Sequence, residues 1–188
     1  PRVMIVGGGE MGTGIAQLLL AAGHAVCLVD TSSAALGTAV AVLRRRLERE
    51  IRVGRMVGST EELLSRLTTV RDSDWQVVPA DVHLAIEAVP DVQEVKRTVL
   101  RRLLDASEPS TLIATTSLAT PISTLVQGDG SVGRVVGYHF MNPAPALRLC
   151  ELVVPAGTTD TTVEWSRRFL GGLGLTVIEV DDRPGFAL

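Results

Sequence analysis

Aromatic side chains and cysteines are scarce in this chain. Phe, Trp and Tyr make up 3% of its 188 residues, and its two cysteines are Cys27 and Cys150. So few rings leave little surface on which the bases of single-stranded nucleic acid could stack. There is no Cys-x-x-Cys spacing and no histidine cluster, so the sequence predicts no metal site. Both cysteines lie within apolar runs, which suits free thiols in a reducing compartment, and we expect a cytoplasmic protein.

An excess of positive charge and long apolar stretches are also missing. The chain has 18 basic and 21 acidic residues, a net charge of -3, whereas binding to phosphate backbones needs a basic face. Its apolar runs are short and interrupted, so none is long enough to span a membrane. The first strand-like run begins at Val3, and we therefore expect no signal peptide. We therefore expect neither a nucleic acid nor a membrane as partner.

Short apolar, β-branched runs alternate along the chain with segments of helical spacing. Strands that are apolar throughout and alternate with helices predict parallel βαβ units whose sheet is covered on both faces. We treat residues 1–188 as one domain of this α/β class. Strands are predicted at 3–6, 25–29, 82–89, 112–116, 132–138, 149–154 and 176–180, and helices at 11–22, 33–53, 92–104 and 161–173.

The stretch that follows the second predicted strand is longer than one crossover needs. About fifty residues separate Asp30 from the strand that begins at Val82. We predict two helices there, forming an arm off the sheet at about residues 33–67. Its arginine-rich part, residues 44–50, has two interpretations: a solvated helix face, or a contact for the phosphates of an anionic ligand.

A glycine-rich loop follows the first predicted strand directly. Gly7, Gly9 and Gly12, with Glu10 and Met11 between the last two, form a Gly-x-Gly-x-x-Gly pattern that opens a helix. In this position the pattern predicts a dinucleotide site: the first glycine allows a tight turn, the second lets the backbone approach a pyrophosphate, and the third lets helix and strand pack closely. The fold we expect is therefore a doubly wound, mostly parallel sheet of the Rossmann type.

The choice of nucleotide depends on Asp30, at the end of the second predicted strand. An acid here accepts hydrogen bonds from the adenosine ribose hydroxyls and repels a 2′-phosphate, so NAD is favoured over NADP. Thr31, Ser32 and Ser33 follow, and none of them could hold such a phosphate as an arginine would. FAD shares the loop pattern, but the rest of the chain argues against it. The alternative without a nucleotide is a glycine-rich turn beside a helix-capping aspartate.

Three segments with candidate chemical groups follow later strands, at residues 87–96, 114–118 and 137–143. With the glycine-rich loop they give the chain a resemblance to the NAD-binding domain of the 3-hydroxyacyl-CoA dehydrogenase family. The resemblance runs from Val3 to the end of the sequence in the expected order. Its most specific part is His-Phe-Met-Asn-Pro at 139–143 with Glu151 downstream. The other matching segments are residues 7–16, Glu-Ala-Val at 87–89 with Glu-Val-Lys at 94–96, and Asp-Arg-Pro-Gly-Phe at 182–186.

The resemblance implies roles for particular residues. His139 matches the catalytic base, Glu151 the acid that pairs with it, and Ser117 a serine that touches substrate and cofactor. Asp91, Lys96 and Asn142 match positions near the nicotinamide half of the cofactor. The family oxidises the 3-hydroxyl of an acyl-CoA and passes hydride to NAD. An imidazole suits that proton transfer because its pKa lies near the working pH, and a carboxylate on its other nitrogen fixes the tautomer.

The chain departs from the family at two places. The family's Asn-Thr-Ser is Thr-Thr-Ser here, and the stretch 118–121 is one residue longer, so Ser117 could instead be a turn or capping serine. Asp91 could be a helix cap, Lys96 a surface residue and Glu87 a structural acid. In the family a helical C-terminal domain follows, which closes the active site and forms the homodimer. We expect the present sequence to be either part of a longer enzyme or a domain that meets this partner on another chain. We expect the chain alone to bind NAD with little or no turnover.

Two further readings concern the substrate. By the resemblance the arm approaches the CoA moiety, where Arg46, Arg52 or Arg55 could meet its phosphates. The alternatives are a dehydrogenase for a non-CoA hydroxy acid or hydroxy amine, like the gulonate and carnitine dehydrogenases that resemble this family, or a nucleotide-sensing module without catalysis.

Overall fold

One eight-stranded sheet organises the computed structural model, which describes residues 1–117, 120–127 and 132–183. The strand order is β3-β2-β1-β4-β5-β6-β7-β8, and neighbouring strands are parallel except β6 and β7. The strand order reverses beside β1, which leaves a crevice at the carboxyl ends of β1 and β4. The Rossmann-type prediction is confirmed. The strands are β1 (Arg2–Val6), β2 (Ala25–Asp30), β3 (Leu67–Arg71), β4 (Val82–Glu87), β5 (Leu112–Thr115), β6 (Val135–Phe140), β7 (Leu149–Val154) and β8 (Thr176–Asp181).

Helices cover both faces of the sheet, as the apolar strands predict. On β1, Val3 and Ile5 join a core with residues of α1, α2 and α7, while Met4 and Val6 join a second core with residues of α4 and α5. Successive side chains of a strand point to opposite faces, so strands covered on both sides must be apolar throughout. The helices are α1 (Glu10–Ala21), α2 (Ser33–Arg52), α3 (Thr60–Leu64), α4 (Gln93–Ala106), α5 (Ile122–Leu125), α6 (Ala144–Leu147) and α7 (Asp160–Gly172).

The segment after β2 contains both predicted helices and a strand that was not predicted. The Ser32 hydroxyl caps α2 by accepting from the Ala35 amide at 3.2 Å. The helix then packs on the core from Leu36 to Leu47. The segment ends in β3, which pairs with β2 at the edge of the sheet. Most of β3 is polar and exposed, so it lacks the continuous apolar run by which the other strands are recognised.

The sixth strand is displaced from its predicted position. It begins at Val135 rather than 132, where a 3₁₀ turn precedes it, and it ends at Phe140 rather than 138. Antiparallel pairing with β7 extends the strand, so His139 lies within β6 and not after it. Within the described ranges no helix is both long and apolar enough to cross a membrane. Leu118 and residues 184–186 of the Asp-Arg-Pro-Gly-Phe segment lie outside the described residues.

Candidate cofactor and catalytic site

The turn from β1 into α1 requires glycine at two positions. Gly7 has φ +115°, and a Cβ there would lie 2.4 Å from the carbonyl oxygen of Ala88. A Cβ on Gly12 would lie 1.9 Å from the carbonyl oxygen of Gly7. At Gly9, by contrast, a Cβ would meet no atom within 4 Å, so the space above this glycine is open. The loop is therefore tight against the protein and open on the side where a ligand would approach.

Helix α1 begins at this loop without a side-chain cap. Its N-cap residue is Gly9, which has no side chain to accept from the amides of the first turn. Those amides and the helix dipole favour an anion. Glu10 and Met11 of the first turn line the cavity above the loop.

Asp30 lies at the end of β2 with its carboxylate directed at the loop. One oxygen, Oδ2, accepts from the Gly8 amide at 2.8 Å, and the other, Oδ1, accepts from the Ser32 amide at 3.1 Å. Oδ1 also accepts from the Thr31 hydroxyl at 3.4 Å, whereas Oδ2 accepts only from Gly8 among the described residues. Because a carboxylate oxygen can accept two hydrogen bonds, Oδ2 keeps capacity for a ribose hydroxyl. The carboxylate is thus placed where it can bind a ribose and repel a 2′-phosphate.

A cavity of about 560 Å³ joins these elements and has the size of a ligand site. Glycine cradle, helix N-terminus, carboxylate and apolar wall together fit a dinucleotide. Asp91, Lys96 and Asn142, all within the described ranges, are not among its lining residues, and their cofactor contacts stay predictions. The cavity is lined by Val6, Gly7, Gly9, Glu10, Met11, Asp30, Thr31, Asp72, Ala88, Val89, Pro90, Val95 and Val99.

The apolar wall and Asp72 were not found by sequence reasoning. Ala88 to Pro90 belong to a segment that was singled out, but within it only Glu87, Asp91 and Lys96 were considered for a role. Asp72 follows β3, which was not predicted, and so had no assigned place. Val95 and Val99 are spaced as neighbours on one face of α4, a signal that was available in the sequence but equally typical of core packing.

Behind this wall lies a fully buried ion pair. Lys96, the only lysine of the chain, is 1% exposed and places its ammonium 2.9 and 3.1 Å from the two carboxylate oxygens of Glu87. The ammonium also donates to the Val89 carbonyl at 3.3 Å, and Asp91 lies 3.9 Å away. The Glu87 carboxylate in turn accepts from the Val89 amide at 2.7 Å. The pair therefore fixes the main chain of the cavity wall.

The same carboxylate reaches the turn that carries Ser117. The Thr115 hydroxyl donates to Glu87 Oε2 at 2.5 Å, and the Ser117 amide donates to the Thr115 oxygen at 3.2 Å. Ser117 is 3% exposed, and its own hydroxyl donates to the Thr120 carbonyl at 2.9 Å. Its position at the carboxyl edge of the sheet agrees with the sequence analysis, while its contact with a substrate stays a prediction.

His139 and Glu151 lie directly opposite each other on the antiparallel strands β6 and β7. The ring nitrogen Nδ1 of His139 is 2.7 Å from Oε2 of Glu151, which is fully buried. Directly opposed residues of an antiparallel pair project from the same face of the sheet, so the strand register itself brings the two side chains together. In the tautomer that donates from Nδ1 to the carboxylate, the contact fixes the orientation of the ring and the lone pair is on Nε2.

Helix α6 connects the end of β6, which carries His139, to helix α1. After a cis Asn142–Pro143 bond, α6 packs against α1, where Gly14 has Ala144 and Pro145 as neighbours. Parallel pairing of Thr115 with Gly137 puts the turn after β5 and the end of β6 at the same edge of the sheet. The predicted base, its acid, the serine and the glycine-rich loop thus belong to one edge.

The arginines proposed for CoA lie at the far end of α2 and beyond it. Arg55 is exposed and pairs with Glu50 at 3.3 Å, and Arg52 is an exposed residue of the last helical turn. Arg46 is half-buried. Their contact with CoA stays a prediction.

Both a family model and individual relatives identify the same family for this chain. The family model described as "3-hydroxyacyl-CoA dehydrogenase, NAD binding domain" matches residues 2–183. The chain is 32% identical to 3-hydroxybutyryl-CoA dehydrogenase of Bradyrhizobium diazoefficiens, covering 98% of this chain and 62% of that protein. It is 33% identical to 3-hydroxyadipyl-CoA dehydrogenase of Escherichia coli, covering 98% of this chain and 38% of that protein.

A solved structure shows the same fold. The crystal structure of 3-hydroxybutyryl-CoA dehydrogenase from Escherichia coli superposes with a TM-score of 0.91 at 32% identity, covering 98% of this chain and 39% of that one. The chain thus spans less than two thirds of the length of these relatives.

Proposed function

Since the chain belongs to the 3-hydroxyacyl-CoA dehydrogenase family, with NAD as its cofactor, we propose that it is the cofactor-binding part of an enzyme that oxidises a 3-hydroxyacyl-CoA to the 3-keto form. The observation that carries this proposal is the 2.7 Å contact between His139 and the buried Glu151. A domain that only senses a nucleotide has no use for an oriented imidazole at the carboxyl edge of the sheet. A base for an alcohol proton needs that orientation.

The glycine-rich loop and the start of α1 hold the pyrophosphate of the dinucleotide. Asp30 accepts from the adenosine ribose hydroxyls and excludes NADP. Asp91 and Asn142 contact the nicotinamide half. Lys96 acts on the same half by holding the Val89 carbonyl, because its ammonium protons already have acceptors within the chain. When bound, NAD supplies the acceptor for the substrate's hydride.

His139 takes the proton of the substrate's 3-hydroxyl on Nε2. Nδ1 keeps its hydrogen bond to Glu151, whose negative charge stabilises the imidazolium that forms. The Ser117 hydroxyl, released from the Thr120 carbonyl, binds the substrate oxygen. Together these groups leave the reacting carbon positioned by the protein and its proton transferred to a fixed atom.

Calorimetry on this chain tests the cofactor part. We expect NADH to bind, NADPH to bind much more weakly, and Asp30→Ala to weaken NADH binding. Binding of neither nucleotide by the wild-type chain would contradict the proposal for this chain.

Turnover in the whole enzyme tests the catalytic part. We expect His139→Gln to keep NADH affinity and to lose at least about 10²-fold in the rate of acetoacetyl-CoA reduction. His83→Gln is the matched control, because His83 is an exposed histidine on β4. Equal rates for the two variants would show that His139 is not the base.

The substrate class and assembly are proposals from the resemblance and the relatives' names. Reduction of acetoacetyl-CoA but not of free acetoacetate would support a CoA substrate, and the reverse would favour the non-CoA alternative. Loss of turnover on replacing Arg46, Arg52 and Arg55 together would place CoA at the arm. A homodimer formed through a C-terminal domain, and a cytoplasmic location, complete the proposal and can be tested by sedimentation and by cell fractionation.

A further inference from the structure

The turn between β3 and β4 is held by an arginine from helix α4. Arg102 donates through Nη1 to the Asp72 carboxylate at 2.8 Å. Through Nη2 it donates to the carbonyl oxygens of Asp72 and Trp75, at 2.8 and 2.7 Å. The guanidinium therefore bridges both ends of the turn at residues 72–75.

Trp75, a residue of the turn itself, makes further contacts that hold the turn together. The Arg102 guanidinium lies over the Trp75 ring, 3.8 Å from its centre, and the indole nitrogen of Trp75 donates to the second Asp72 oxygen at 3.1 Å. Trp75 is 5% exposed. Only a planar, forked cation can stack on the ring and donate to three oxygens at once, so a lysine could not reproduce the arrangement.

This turn and α4 form one end of the nucleotide cavity. Asp72 lines the cavity, and so do Val95 and Val99 of α4. Arg102 follows Val99 on the same face of the helix, because residues three and four apart are neighbours on a helix surface. Asp30 lies at the same end, since β3 is the neighbour of β2 and Asp30 pairs with the last residue of β3. That end takes the adenosine half of a dinucleotide.

We propose that Arg102 is a positioning residue for the adenosine half of the cofactor. It fixes the turn of residues 72–75 against α4, so that Asp72 and the two valines form a wall of constant shape. The inference rests on the proposed binding of NAD, and it assigns to that site a residue that does not itself touch the cofactor.

Calorimetric titration of ADP-ribose and of NADH into this chain tests the assignment. We expect Arg102→Leu to raise both dissociation constants about tenfold, the equivalent of one or two lost hydrogen bonds. Arg102→Lys should restore only part of the affinity. Arg101→Leu, which removes an exposed arginine from the same helix, should leave it unchanged. All variants are compared well below their melting temperatures; if Arg102→Leu does not fold, Arg102→Lys decides the question.

Trp75 supplies a readout that a general loss of stability would not move. The chain has two tryptophans, and the other, Trp165, stacks on Phe169 at 4.8 Å. In a Trp165→Phe background, ADP-ribose should change the Trp75 fluorescence, and Arg102→Leu should abolish that change while the far-ultraviolet spectrum stays native. Wild-type affinity and an unaltered Trp75 response in folded Arg102→Leu would overturn the inference. Failure of the wild-type chain to bind NADH would instead overturn the proposed function.

Discussion

Replacing Lys96 by Met would leave a buried charge without its partner. The Glu87 carboxylate is fully buried, and both of its oxygens lie within 3.1 Å of the Lys96 ammonium. In the variant the carboxylate keeps only its contacts with the Val89 amide and the Thr115 hydroxyl. Removing one member of a buried ion pair costs about 3–5 kcal/mol, because the remaining charge stays desolvated.

Such a loss is a large part of the total stability of a domain, which is about 5–15 kcal/mol. Urea unfolding followed by circular dichroism measures it: with a slope of about 1–3 kcal/mol per molar urea, the midpoint should fall by roughly 2 M. Arg101→Met, an exposed cation on the same helix, is the control and should change the unfolding free energy by less than about 0.5 kcal/mol.

A double variant separates the charge from the packing. Glu87→Gln with Lys96→Met removes both charges, and the amide oxygen can still accept from the Val89 amide. We expect the double variant to be more stable than Lys96→Met alone, because no uncompensated charge is then buried. If Lys96→Met loses less than about 1 kcal/mol, or if the double variant is no more stable than the single one, then the argument from desolvation is wrong.

Four further predictions need only standard measurements. Gly7→Ala should lower the free energy of unfolding in urea by about 2 kcal/mol or more, because its φ is +115° and the new Cβ would clash with the Ala88 carbonyl. Gly9→Ala should keep its stability and still weaken NADH binding in calorimetry. Lys96 should resist acylation by an amine reagent in the folded chain and react after unfolding, as mass spectrometry would show; rapid native labelling would contradict its burial. Burial lowers the pKa of His24 below 6.5, so as the pH falls below this value the unfolded chain binds more protons than the folded one. The free energy of unfolding is therefore highest above pH 6.5 and decreases as the pH falls. The difference in unfolding free energy between pH 8 and pH 5.5 should be larger for the wild type than for His24→Phe. Burial also raises the pKa of the Cys150 thiol, so it should react with a thiol reagent at pH 8 only as the chain unfolds.

The glycine-rich loop was predictable because its constraint is local. Gly12 is required by the Gly7 carbonyl within the same strand-turn-helix unit, and Gly7 by its own φ of +115° in addition to the Ala88 carbonyl that follows β4. Strand-turn-helix units of this kind repeat between proteins. Asp30 could be placed for the same reason, since its partners are the loop amide of Gly8 and its own next-but-one neighbour, Ser32. Local geometry of this kind leaves a pattern of fixed spacing in the sequence.

The association of His139 with Glu151 was predictable, but the strand geometry that brings them together was not. The spacing of His139 and Glu151 gave their association through the resemblance, but it did not give the antiparallel strands that set them face to face. The end of β6 was placed too early because a polar histidine in a strand resembles a strand end. The register depends on how residues 141–148 turn, and α6 within them makes its contacts with α1, far away in sequence.

The contacts of Lys96 and Arg102 were beyond sequence reasoning for a different reason. Both lie on α4 among other charged residues, a pattern that is typical of a solvated helix face. Lys96 is buried because Glu87 ends the neighbouring strand, and Arg102 is held because Asp72 follows the unpredicted strand β3. Each cation is held by a partner that the order of the strands places beside it, and that order cannot be derived from the sequence of the helix.

The charged contacts around the cavity hold main-chain groups in defined orientations, which apolar packing does not do. A buried ion pair can often be replaced by apolar residues without loss of stability, so stability alone does not account for Glu87 and Lys96. What they provide are hydrogen bonds to defined atoms: the Val89 amide and carbonyl and, through Thr115, the Ser117 amide. These bonds fix the main chain at the ends of two strands, where a small displacement would separate the cofactor wall from the proposed substrate serine. The proposed reaction would require a hydride donor, an acceptor and a base in one arrangement, and for such a reaction a fixed main chain outweighs the desolvation that burying the ion pair costs.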